Sequence, residues 1–229
     1  MRTTTGLWEL MELDAKVEHL GFLWDKEMGR VRELFGGLQF NMAQGHIVLP
    51  DSIKNSVNYK IIYITRNPKD TLISMWHFFN YNSKHLEDLI FPLKELVEYF
   101  CNGVHLYGPF FEHVLEYWEE SKKRPQKILF LKYEDLKIDP KKEVAKIALF
   151  LGKPFGNEED LEIVLKKCSL ERLKNLEVNK SGSIASYIHN SAFFRKGVVG
   201  DWKNHMTPEM EEQLDKITKL KLQGSGLEL

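Results

Sequence analysis

The stretch that decides the fold is YKIIYITRNPKDTLISMWHFF, running from Tyr59 to Phe79. Tyr59 to Thr65 is a short, apolar, β-branched run, the pattern of a buried strand in a parallel sheet. Arg66-Asn67-Pro68-Lys69-Asp70 interrupts it. Thr71 to Phe79 then places Leu72, Met75, Trp76 and Phe79 at helical spacing on one side. Asn67 suits the N-cap because its side chain can accept a free backbone N–H of the first turn. Pro68 suits the first helical position, where a missing N–H costs nothing. The spacing predicts strand, turn, helix.

Outward from this unit, Leu93 to Phe100 and Tyr107 to Ser121 read as helices, with Pro109 near the start of the second. Lys127 to Lys132 (KILFLK) reads as a second strand, left through Tyr133-Glu134-Asp135-Leu136. Pro140 opens a helix that Gly152 closes, and another helix covers Glu158 to Lys167. Residues 177–200 read as loop, rich in Ser, Gly and Asn. Thr207 as N-cap and Pro208 at the first helical position start a last helix reaching Leu222. Residues 1–46 differ: Leu7, Leu10, Met11, Leu13, Val17, Leu20 and Phe22 suit a helical stripe, but glycines from Gly21 to Gly45 break any longer element. Strands alternating with helices imply an α/β fold with a central parallel sheet flanked by helices.

Composition narrows the class. The 229 residues carry 32 basic and 33 acidic groups, a formal net charge of −1, which argues against a nucleic-acid binder acting through bulk charge. Hydrophobic residues at 43% are enough to bury a core. Two cysteines, Cys101 and Cys168, argue against a disulfide scaffold or a Cys-rich zinc site. No run approaches the roughly eighteen apolar residues of a membrane span. Acids occupy the N-terminal positions where a signal peptide is apolar. The expectation is a soluble cytoplasmic protein without nucleic-acid or membrane partners.

Three places carry chemistry. Arg66 stands at the carboxyl end of a parallel strand with a helix N-terminus just beyond, which suits an anion, and Ser74 lies one turn further on. The plainer reading is a surface turn with Arg66 paired to Asp70. Arg195-Lys196-Gly197, followed by Gly200-Asp201-Trp202-Lys203, forms a second phosphate clamp if the backbone turns there, with Asp201 and Trp202 holding the loop down. A solvated basic turn is the alternative. Tyr133-Glu134-Asp135 leaves the second strand at the sheet edge where α/β folds bind ligands. There Tyr133 either reaches a ligand or packs on the sheet, with Glu134 and Asp135 capping the next element. No Walker loop, dinucleotide fingerprint, nucleophile elbow or metal-ligand spacing among the eight histidines is present. The aromatic stretch from Phe91 to Trp118 reads mainly as core, with some of it available to line an apolar pocket.

In order and spacing, LPDSIK (Leu49–Lys54), Tyr59–Asn80, Tyr107–Ser121, Ile128–Pro140, Cys168–Lys180 and Phe193–Met210 resemble the cytosolic sulfotransferase family, in particular its plant flavonoid-type members. The resemblance runs from about Leu49 to the C-terminus. It implies a P-loop-type sulfotransferase fold for residues 47–229, with residues 1–46 an atypical N-terminal segment. It also implies transfer of a sulfuryl group from 3′-phosphoadenosine 5′-phosphosulfate to a hydroxyl of a small aromatic or steroid-like acceptor, with no metal. By motif, Arg66 and Ser74 correspond to the family's 3′-phosphate contacts, and Arg195, Lys196 and Gly197 to the second clamp on that phosphate. Tyr133 falls at the adenine, and Cys168 and Ser169 fall where family residues touch the nucleotide. Leu170 stands where the family commonly stacks an aromatic ring.

Upstream the likeness fails. The family's Pro-Lys-[Ser/Thr]-Gly-Thr-Thr-Trp loop, which binds the 5′-phosphosulfate, has no counterpart, so the expected domain is N-terminally incomplete. Thr3 to Trp8 shares letters with that loop but lacks its Lys. His46 is the candidate general base, yet it lies closer to Pro50 than the family His and has no Thr before it, so the sequence favours a non-catalytic His46. A rival reading is a non-catalytic nucleotide-binding or dimerisation module pairing with a full-length relative. Lys203, Thr207 and Glu212 fall at spacings like the family's short dimer motif, with Pro208 in place of its usual Val, which suggests a weak homodimer. A P-loop nucleotide kinase is a weaker third reading.

Overall fold

Strands Ile61–Thr65 (β1) and Ile128–Lys132 (β2) pair in parallel, from Ile61 opposite Ile128 to Thr65 opposite Lys132. This computed structural model describes residues 59–82, 91–104, 109–184 and 188–229. The readings made for residues 1–46, including His46, and for Leu49–Lys54 lie outside the described residues.

Between the strands the chain forms helices Pro68–Asn82 (α1), Leu93–Cys101 (α2) and Phe110–Lys123 (α3). After β2 come Tyr133–Ile138 (α4), Pro140–Phe150 (α5), Glu158–Lys167 (α6), Leu170–Lys174 (α7), Glu177–Ser181 (α8) and finally Pro208–Leu222 (α9). Several helix starts follow their capping residues. Asn67 Oδ1 accepts the Lys69 N–H at 3.0 Å. Asp139, Asn157 and Thr207 accept first-turn N–H groups of α5, α6 and α9 in the same way. The helices expected from Pro68, Glu158 and Thr207-Pro208 are therefore present where the sequence put them.

The core lies between α1, α2, α3 and α9. It contains Leu72 and Phe79 from α1, Leu96, Val97 and Phe100 from α2, Phe111 and Val114 from α3, and Leu214 and Leu222 from α9. Met75 and Trp76 pack against it, and so do Phe91, Phe110 and Trp118. The dense aromatics thus supply core, as expected. On one face of β1, Tyr63 stacks on Tyr117 of α3 with ring centres 4.2 Å apart. The other face departs from the expected two-sided burial, because Ile64 is 51% exposed. No helix among the described residues is long and apolar enough to cross a membrane.

The described residues between 177 and 200 form more regular structure than their loop-like composition suggests. They hold α8, a short antiparallel pair between Ser183–Ile184 and Ile188–His189, and a 3-10 turn at Asn190–Phe193. Polar side chains fix this region rather than a hydrophobic stripe. Buried Asn179 donates to Leu173 O at 2.8 Å, and Asn190 donates to Val178 O at 2.9 Å. Such side-chain-to-backbone bonds leave no periodic trace in a sequence.

Candidate functional site

The register of the sheet builds the site. Thr65 and Lys132 end the two strands opposite each other, so Arg66 and Tyr133 leave the carboxyl edge side by side. The Arg66 guanidinium lies over the Tyr133 ring, 4.7 Å from its centre. Burial raises the Tyr133 pKa above its ordinary value, so the phenol stays protonated and able to donate. Glu134 Oε1 accepts the Asn67 N–H at 2.9 Å and ties one strand exit to the other. Glu134 therefore serves the start of α1, not the element that follows it. Two buried side-chain atoms at the end of β1, Thr65 Oγ1 and Arg66 Nε, have no hydrogen-bond partner among the described residues. Orphaned polar atoms at a strand end call for an explanation, and a polar ligand there is one.

The second clamp folds back onto this edge. Arg66 Nη2 donates to Val198 O at 2.7 Å, one residue beyond Gly197. Gly197 has φ +62°, and a Cβ added to it would meet Leu170 Cδ2 at 2.5 Å and Tyr133 Oη at 3.6 Å. The backbone turn and the contact both require glycine. Arg195 and Lys196 both donate to Asp201, Lys196 at 2.8 Å. Burial alone would raise the Asp201 pKa, but hydrogen bonds from Lys196, Arg195 and Asn204 hold it far below the usual carboxylate range. Asp201 thus holds both cations of the loop, as its position suggested.

Ser74 is half-buried on α1, one turn beyond Asp70 and one turn before His77. This is the helix face that meets the loop at Gly200, Trp202 and His205. Cys168 is an exposed free thiol at the end of α6. The Ser169 hydroxyl caps α7 by accepting the Arg172 N–H at 3.3 Å. From this segment it is Leu170 that touches the Gly197 turn.

Two further groups have no signature in linear spacing. Asp70 is buried and accepts the N–H groups of Gly200 at 2.6 Å and Trp202 at 3.1 Å. It lies 3.6 Å from Arg66 Nη2, so the expected pair exists, but Asp70 is interior rather than part of a surface turn. His77, His205 and Asp201 also meet, with ligand-capable atoms within 4.8 Å of one another. The ring nitrogens of the two histidines are 3.4 Å apart. Burial, then the charge of Arg195 and the neighbouring His205, lowers the His77 pKa to about 4. A cation fits this group poorly, because both Asp201 oxygens already serve Arg195 and Lys196. The surplus positive charge around His77 favours anions.

Residues 44–226 match the family model described as the sulfotransferase domain. Cytosolic sulfotransferase 5 of Arabidopsis thaliana is 46% identical over 183 residues, covering 78% of this chain and 56% of that protein. Flavonol 4′-sulfotransferase of Flaveria chlorifolia is 46% identical over 215 residues, covering 90% of this chain and 66% of that protein. The chain spans about half the length of the Arabidopsis relative. A crystal structure of mouse sulfotransferase SULT7A1 complexed with PAP superposes with a TM-score of 0.64 at 29% identity, covering 97% of this chain and 80% of that one.

Proposed function

The chain belongs to the sulfotransferase family, and on that premise we propose that it binds 3′-phosphoadenosine 5′-phosphosulfate and transfers its sulfuryl group to a hydroxyl of a small aromatic or steroid-like acceptor. The observation that carries this reading is the convergence at one strand end of Arg66, Tyr133 and the Arg195–Gly197 turn, beside two orphaned buried polar atoms. Three cations and a phenol are suited to a phosphate on a nucleoside. The PAP in the mouse relative and the flavonol named for the Flaveria relative support donor and acceptor class respectively.

In this reading Arg66, Ser74, Arg195, Lys196 and the Gly197 backbone hold the 3′-phosphate, and Tyr133 meets the base. Cys168 and Ser169 flank the nucleotide, with Leu170 as the residue in contact with the clamp. The acceptor oxygen attacks sulfur, the bond from sulfur to the 5′-phosphate oxygen breaks, and the acceptor's proton passes to a base. No charge develops at the 3′ end, so the clamp binds ground and transition state alike and acts by positioning the donor. The protein acts in the cytoplasm, the compartment named for the Arabidopsis relative.

A second reading is a nucleotide-binding module that pairs with a relative. It draws on the described half of the site, which serves binding, and on α9. Thr207 caps that helix, Glu212 is exposed on it, and Lys203, in the 3-10 turn before it, lies beside Trp202, 5.6 Å from its ring centre. We place a weak homodimer through these three residues. Calorimetry with adenosine 3′,5′-bisphosphate, alongside transfer of labelled sulfate to flavonol, phenol and steroid acceptors, separates the readings. Binding with transfer supports the enzyme, binding without transfer supports the module, and failure to bind removes both.

A further inference from the structure

We propose that Asp70 is a positioning residue that joins the two halves of the phosphate clamp and so sets affinity at the 3′-phosphate end; this rests on the nucleotide reading above. Asp70 is 1% exposed. Its two oxygens are divided between two amides of one short segment, Gly200 N at 2.6 Å and Trp202 N at 3.1 Å. The same carboxylate lies 3.6 Å from Arg66 Nη2. One side chain in the first turn of α1 thus touches the first-half cation and the backbone of the second half.

The bonds run onward. Residue 201 lies between the two amides that Asp70 fixes. Its carboxylate takes Arg195, Lys196, Asn204 and His205. Two aspartates therefore act in series: Asp70 fixes the backbone on either side of Asp201, and Asp201 fixes the cations. Gly200 has φ +84°, a left-handed conformation in which its N–H reaches Asp70 without strain. Lys69 adds a second hold, with its ammonium 4.0 Å from the centre of the Trp202 ring. A phosphate clamp built from separate segments works only when the segments hold a fixed separation, since geometry of this kind is lost over about an ångström.

The test uses the whole chain and adenosine 3′,5′-bisphosphate, whose two phosphates give separate phosphorus resonances. In Asp70→Asn one acceptor becomes an NH2 facing a backbone N–H, while size and shape are kept. We expect the Kd to rise about ten- to a hundredfold. At saturation the bound-state phosphorus shift of the 3′-phosphate should collapse while the bound-state proton shifts of the adenine, beside Tyr133, persist. General loosening would move both sets of shifts together and would overturn the proposal, as would an unchanged 3′ shift. A wild-type chain that does not bind the nucleotide would instead remove the functional reading on which this one rests. If Asp70→Asn does not fold, amide exchange in the wild type decides. Exchange at Gly200 and Trp202 should slow on adding the nucleotide, and unchanged exchange overturns the proposal.

Discussion

The two halves of the proposed clamp are built by opposite means. Arg66 to Asp70 joins a strand to a helix through consecutive residues, and two positions later Leu72 is fully buried in the core. The segment from Arg195 to His205 contains one 3-10 turn, Asp201–Asn204, and is held by polar bonds to side chains about 130 positions away. The first half inherits its rigidity from core packing, whereas the second borrows it from the first through Asp70. A site of this kind is only as firm as its polar connections.

The largest effect should come from the core beneath the first half. Leu72→Ala should destabilise the chain by about 2–5 kcal/mol in urea unfolding. A loss below about 0.5 kcal/mol would break the claim that this half stands on the core. Next come the cations. Arg66→Ala and Arg195→Ala should each weaken binding of adenosine 3′,5′-bisphosphate by about 1.5–3 kcal/mol in calorimetry. If the halves form one clamp, the double variant should lose less than the sum, by at least about 0.5 kcal/mol. Strict additivity would mean two independent contacts.

Smaller effects sharpen the contrast. Asn67→Ala removes the cap of α1 and should cost about 1 kcal/mol of thermal stability, and Asn67→Gly only a few tenths. No loss in either variant would mean that the cap contributes nothing. The smallest expected effect is pH-dependent and belongs to the second half. The folded His77 pKa is about 4, below its ordinary 6.5, so the unfolded chain binds more protons between these values. Stability should therefore fall as pH drops from about 6.5 to 4 and level off below that. After allowance for solvent access the loss is about 1 kcal/mol or less. His77→Phe should flatten this part of the profile, and an undiminished slope would assign it to another group.

What the sequence made legible follows the same division. Asn67-Pro68 and Thr207-Pro208 announced helix starts because caps are local chemistry, and KILFLK announced a strand because burial is written in its residue types. Arg66, Tyr133 and the Arg195–Gly197 turn were legible as candidates from motif order. Asp70 as the link between them was not, since its partners are backbone amides of Gly200 and Trp202, which leave no side-chain signature at a fixed spacing. His77 and His205 were likewise invisible, because their contact depends on how the loop lies against α1. The short elements from Leu170 to Phe193 lacked a periodic signal, because side-chain amides anchor them in place of an apolar face.

The pairing of β1 with β2 bears on how the protein acquires its function in time. Asn67 and Glu134, whose hydrogen bond ties the two strand exits, are 67 positions apart, with α1, α2 and α3 between them. Contacts of such long range carry a large loop-closure cost and tend to form late in folding. Nucleotide binding would then report completed folding rather than partial collapse. Ligand present during refolding would stabilise only the finished chain and slow its unfolding, with little effect on the rate at which that chain is reached.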